Sequence, residues 1–137
     1  MVRVSKQIDY ALQLLFALAR NGSEASVSLR DISDESTISF LFLQKIAKSL
    51  KDAGVIEATR GAQGGYRLIK DPVGLTLKEI VEAVEGPLGV TECFKHGLSC
   101  ELEKTCQSKK ALFSLNAHIL DYLNTTTLAH LHAHTLN

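Results

Sequence analysis

The hydrophobic and polar positions of this chain change period several times, and each change marks an element. Over residues 6–20 apolar side chains recur at helical spacing, with Ile8, Leu12, Leu15, Phe16 and Ala19 on one face. Asn21-Gly22 ends that helix. Residues 28–36 predict a short second helix, opened by Ser28 with Asp31 three positions on, a helix-starting Ser-x-x-acid pattern. Thr37-Ile38-Ser39 reads as a turn, and Ser39 can cap a third helix reaching Ala53 before Gly54 stops it. That helix places Leu43, Ile46, Ala47 and Leu50 inward and Gln44, Lys45, Lys48 and Lys51 outward. The period then shortens to that of a strand. Val55–Thr59 is β-branched and apolar, Arg60–Gly65 is a glycine-rich tip, and Tyr66–Ile69 returns as a second strand.

Asp71-Pro72 marks a linker. A fourth helix follows, with Ile80, Val81 and Val84 inward, and ends at Gly86-Pro87. Residues 88–107 carry no period. A long amphipathic helix then runs over 108–126, with Leu112, Leu115, Ile119 and Leu123 as its stripe. The run His130, His132, His134 reads as a frayed polar tail.

Two short helices joined by a tight turn, the second with a basic outer face and followed by a hairpin, predict a winged helix-turn-helix. The fold expected is mainly α with a small β-hairpin wing. Residues 1–72 form the DNA-binding domain, and residues 73–137 supply a sensor loop (88–107) and a dimerisation helix (108–126). A chain this small offers the long stripe little to pack on, so a partner helix in a homodimer is expected. A symmetric dimer also suits the reading of double-stranded DNA, because it matches two half-sites about one helical turn apart.

Charge sharpens this reading. The net charge over 137 residues is zero, yet residues 39–70 carry six Lys/Arg against two Asp/Glu. A locally basic segment on a neutral chain is how a DNA-binding lobe escapes a whole-chain charge count. Ser39 and Gln44 are placed to reach base edges, since glutamine pairs bidentately with adenine. Arg60 at the wing suits a narrow minor groove. Arg3, Lys45, Lys48, Lys51 and Arg67 suit phosphates, and Gly61, Gly64 and Gly65 let the tip adopt positive φ and approach the backbone closely.

No apolar run approaches the roughly 20 residues of a membrane span. Tyr10–Ala19 is interrupted by Gln13, follows Asp9 and lacks a cleavage site of small residues, so no membrane partner and a cytoplasmic location are expected. In that compartment the only three cysteines, Cys93, Cys100 and Cys106, read as metal ligands or redox sensors rather than a disulfide. Three sulfurs need a fourth ligand. With His96 they offer tetrahedral zinc; iron–sulfur clusters are likewise held mostly by thiolates; a metal-free thiol switch stays open. No Ser/His/Asp arrangement, paired carboxylates or nucleotide loop stands out, so an enzyme is not expected.

Three segments carry a resemblance. Asp9-Tyr10-Ala11-Leu12, the wing Arg60-Gly-Ala-Gln-Gly-Gly-Tyr-Arg-Leu68 and the Cys93…Cys100…Cys106 loop resemble the Rrf family of winged-helix transcriptional regulators, from Val2 to about His130. Glu85–Cys93 followed by Cys100-Glu-Leu-Glu-x-x-Cys106 is similar to the subgroup that regulates the SUF iron–sulfur assembly system. The resemblance implies a dimer on palindromic promoter DNA, with an iron–sulfur cluster (2Fe-2S or 4Fe-4S) on the three cysteines. Two positions depart from the family. Six residues separate Cys93 from Cys100 where five is common, and Lys109 stands where the iron–sulfur assembly regulator has a histidine. The resemblance then points to Asp9, at the position of an aspartate that ligates the cluster from the other subunit in nitric-oxide-sensing relatives. His96, His118, Glu92, Glu101 and Glu103 remain further options.

Overall fold

Side-chain caps set where the helices begin. In the computed structural model, which describes residues 4–22, 24–60, 64–89 and 106–135, five hydroxyls each accept a hydrogen bond from the first turn they precede. Ser5 opens α1 (Lys6–Arg20), Ser28 opens α2 (Leu29–Glu35), and Ser39 opens α3 (Phe40–Asp52). Thr76 opens α4 (Leu77–Glu85) in a full capping box with Glu79, and Thr127 opens the last helix. The long helix differs, because its cap is the thiol of Cys106. Numbered in chain order among the described residues, the long helix is α5 (Gln107–Thr125) and the last is α6 (Leu128–Ala133).

Gly54 ends α3 at φ +77°, where its N–H reaches Lys51 O and the Val55 N–H reaches back to Leu50 O. This left-handed closure favours glycine and turns the chain directly into the hairpin. Strands β1 (Ile56–Thr59) and β2 (Gly65–Leu68) pair antiparallel, with Ile56 opposite Leu68 and Thr59 opposite Gly65. A single bridge between Val27 and Tyr66 adds a third rung beside β2.

The core gathers Leu14, Leu15 and Leu18 of α1, Leu43, Ile46 and Leu50 of α3, Ile56 and Leu68 of the hairpin, Ile80 of α4, and Leu128 of α6. The core therefore runs across residue 72 and includes both Leu75 and Leu128, each fully buried. α1 is the central element, packed against α3, α4, β2 and α6. That position explains a difference from the periodicity reading. Its most buried residues are Ala11, Leu14, Leu15, Ala17 and Leu18, while Ile8, Leu12, Phe16 and Ala19 are half-buried. Several neighbours share α1, so its buried set is turned from the expected stripe, while Lys6, Asp9, Gln13 and Arg20 form its exposed face.

The histidine tail also differs from expectation. Residues 128–133 are helical, and His132 stacks on Phe16 of α1 with ring centroids 5.6 Å apart. The Leu77 N–H donates to Thr126 O and the Leu128 N–H to Leu75 O, both at 2.8 Å, so the chain leaving α5 is stitched to the chain entering α4. α5 itself packs on α4. Leu112, Ile119 and Leu123 are half-buried there. Phe113, Leu115 and Tyr122 stay exposed, and the only buried α5 residue is Asn116.

Candidate nucleic-acid interface and thiol site

The α2–α3 turn is built by serines. Ser36 Oγ accepts from Ile38 N at 3.2 Å, and Ser33 Oγ donates to Ile38 O at 2.9 Å. Ile38 is buried beneath them. This fixes α3 so that Leu43, Ile46, Ala47 and Leu50 face the core and Gln44, Lys45, Lys48 and Lys51 face outward, as its spacing predicts. Ser39 has a second task, since its oxygen accepts from Phe42 N at 3.2 Å. Lys48 lies 3.4 Å from Asp52 one turn on, an exposed pair of the kind that contributes little and separates easily.

Between α3 and the wing lies an open groove of about 620 Å³, lined by Ser26, Ser28, Arg30, Phe40, Gln44, Gly64, Gly65 and Tyr66 among others. The Arg30 guanidinium sits 4.4 Å over the Phe40 ring, a cation–π contact that holds it at the groove wall. Ser26, Ser28, Arg30 and Tyr66 were not among the sequence-derived contact residues. The visible signal was Arg30 itself, a cation on α2 just outside the basic window of residues 39–70.

The wing is anchored at its base. Val27 and Tyr66 exchange N–H···O bonds of 2.9 Å in both directions, and Ser26 and Thr59 share a hydroxyl contact. Gly65 is demanded by this anchor rather than by backbone angle. Its φ is not positive, and a Cβ there would lie 2.5 Å from Val27 O. Arg60 is exposed at the end of β1, where the wing tip begins. Arg67 pairs through Nε with Glu57 across the hairpin, so part of its charge is already answered. Arg3 and residues 61–63 lie outside the described residues.

At the opposite end, Ser5 donates to Glu85, joining the start of α1 to the end of α4, from which the thiol segment departs. Asp9, exposed in the first turn of α1, accepts from Gln13 Nε2 at 3.1 Å. Cys106 Sγ accepts from Lys109 N at 3.4 Å. Cys106 thus stands at a helix N-terminus with an amide N–H aimed at its sulfur. The other thiols, Cys93 and Cys100, lie outside the described residues, as do His96, Glu92, Glu101 and Glu103. Among the described residues no three metal-ligating side chains converge. His118 Nδ1 lies 2.7 Å from Ser114 O on its own helix, so that nitrogen is engaged locally.

Comparison with known proteins decides the class. The sequence pattern of Rrf2, described as an iron-dependent transcriptional regulator, matches residues 4–134. The chain belongs to the Rrf2 family. It is 34% identical over 131 residues to the HTH-type transcriptional regulator NsrR of Geobacillus kaustophilus, spanning 95% of this chain and 89% of that protein. It is 29% identical over 130 residues to IscR of Vibrio cholerae, spanning 95% and 75% respectively. Among solved structures, CymR, the global cysteine regulator of B. subtilis, superposes with a TM-score of 0.79 at 27% identity, covering 98% of each chain. T. potens IscR gives 0.75 at 28% identity, covering 95% of this chain and 85% of that one.

This Rrf2 protein is therefore a winged-helix, DNA-binding transcriptional regulator, and its relatives are regulators rather than enzymes. Its wing is the β1–β2 hairpin, and the helix-turn-helix is α2–α3. No helix among the described residues is long and apolar enough to cross a membrane.

Proposed function

We propose that this Rrf2 protein is a homodimeric repressor of iron–sulfur cluster assembly genes. It would report iron–sulfur or redox status through a 2Fe-2S or 4Fe-4S cluster. Cys93, Cys100 and Cys106 would hold the cluster, with Asp9 of the partner subunit as fourth ligand. The observation that carries this is the placement of Cys106 as the N-cap of α5, which fastens one of the three clustered thiols to the helix expected to pair. A bound cluster would supply an iron- and oxidant-sensitive tie among the loop thiols.

The protein's own residues divide the remaining work. α5 exposes Phe113, Leu115 and Tyr122, apolar surface suited to a second copy. α3 enters the major groove with Ser39 and Gln44 toward base edges, Arg60 reaches the minor groove at the wing, and Arg3, Lys45, Lys48, Lys51 and Arg67 meet phosphates. Gly64 and Gly65 bring the wing close to the duplex. Loaded protein represses, and protein that has lost the cluster releases a palindromic promoter site.

Anaerobic purification should give a brown, visible-absorbing protein of dimer mass. Gel shifts of holo, oxidised and apo forms on DNA upstream of an iron–sulfur assembly operon should differ. Equal affinity for all three would remove the sensing role and leave DNA binding intact.

The likeness to CymR, the global cysteine regulator of B. subtilis, and to Staphylococcus aureus CymR, solved in an oxidized form, favours a second reading. In it the same winged-helix repressor responds through its thiols, or through a zinc-held loop, without a cluster. Colourless protein with stoichiometric zinc, or with free thiols, would support that reading instead.

A further inference from the structure

The outward face of α3 contains one residue that neither the core nor a charge-based interface accounts for. Leu41, Gln44, Lys45 and Lys48 fall at i, i+3, i+4 and i+7, so they share one stripe of the helix. Three of them are polar. Leu41 is 78% exposed, the largest value among the exposed bulky apolar residues described. It lies in the first turn of α3, a different element from the exposed apolar residues of α5.

A lone exposed leucine is common on a protein surface. This one stands on the stripe that carries Gln44 and two lysines, whose charge suits a phosphate-lined groove. The first turn of a recognition helix is also the part that reaches base edges. In the major groove the thymine C5-methyl is the apolar group on a base edge, and the amide of glutamine matches adenine N6 and N7.

We propose that Leu41 is a specificity-determining residue that packs on a thymine methyl in each half-site, next to the base read by Gln44. The inference rests on the reading that α3 enters the major groove. It adds an apolar contact to an interface otherwise described by hydrogen bonds and charge.

The test selects binding sites for the full-length dimer from random duplexes, then replaces each thymine of the selected site by deoxyuridine, which removes only the methyl. At one thymine per half-site the replacement should weaken the native protein about tenfold. Leu41→Ala should bind the thymine site about tenfold more weakly than the native protein, and should lose nothing further on that replacement. Its unfolding midpoint should match the native one, because the side chain is exposed. If no thymine methyl affects the native protein, or if the same one affects Leu41→Ala equally, the inference is overturned and the groove reading survives. If the native protein selects no sequence at all, both fall.

Discussion

Helices α1 and α5 are 15 and 19 residues long, and each contains four leucines. In α1, five apolar residues are buried, three of them leucines. In α5 the single buried residue is Asn116, while Phe113, Leu115 and Tyr122 face outward. Similar composition gives opposite outcomes because of what surrounds each helix. α1 is enclosed by α3, α4, β2 and α6, whereas α5 rests on α4. Apolar content measures how much surface a helix can contribute to burial, and the neighbours decide where it is spent. The winged half completes itself within one chain; α5 presents surface for something else.

The contrast can be broken at its strong side first. Leu14→Ala, in a fully buried site, should lower unfolding free energy by about 2–5 kcal/mol, read from the urea midpoint; a smaller loss would mean that α1 is less enclosed than described. At the wing, Gly65→Ala should cost about 1–3 kcal/mol, because its methyl meets the Val27 carbonyl. Exchange of the Val27 and Tyr66 amides should speed up with it, and unchanged protection would show that the anchor gives way without cost.

A smaller effect tests charge at the edge of the core. The Glu79 carboxyl is held below its ordinary value, first by the Lys70 hydrogen bond and then by the Thr76 N–H. A depressed carboxylate stabilises the fold above the unfolded value and loses that contribution as pH falls through the folded one. Both partners are about two-fifths exposed, so Glu79→Gln should cost under about 1 kcal/mol at neutral pH. The difference from native protein should close as the pH is lowered through the acidic range, and a gap that widens in acid would reverse the assignment. The smallest effect belongs to α5. Phe113→Ser should leave the unfolding of a diluted, monomeric chain within about 0.5 kcal/mol of native, while sedimentation shifts from two copies to one. A large loss in the monomer would show that α5 is held by its own chain after all.

The places of α1 to α5 and of both strands were legible in the sequence, whereas the buried set of α1 and the closing helix α6 were not. α3 shows its full inward and outward sets because one side meets the core and the other meets solvent. The buried set of α1 was shifted because several neighbours share it. α6 was hidden by its two histidines, His130 and His132, and by His134 at its C-cap. Its buried Leu128 and the Thr127 cap are visible only once the bridge between Thr76 and Thr127 brings the segment back to the core. At the interface the basic and polar face of α3 was readable from spacing, whereas the Arg30 wall depends on a ring contact between two helices that no linear pattern encodes. Gly65 was recognised as necessary for a reason of backbone freedom, and the structure supplies another, the closeness of Val27.

The hydrogen bonds from Leu77 to Thr126 and from Leu128 to Leu75 have an evolutionary consequence. They join the chain entering α4 to the chain leaving α5, so the connection between them starts and ends at one place beside the core. Closing such a loop depends only on the logarithm of its length, and doubling it costs about 0.6 kcal/mol. One extra residue between Cys93 and Cys100 is then nearly neutral for folding, on the order of 0.1 kcal/mol or less. The thiol spacing of this chain can accordingly change by a residue with the wing and its groove left undisturbed.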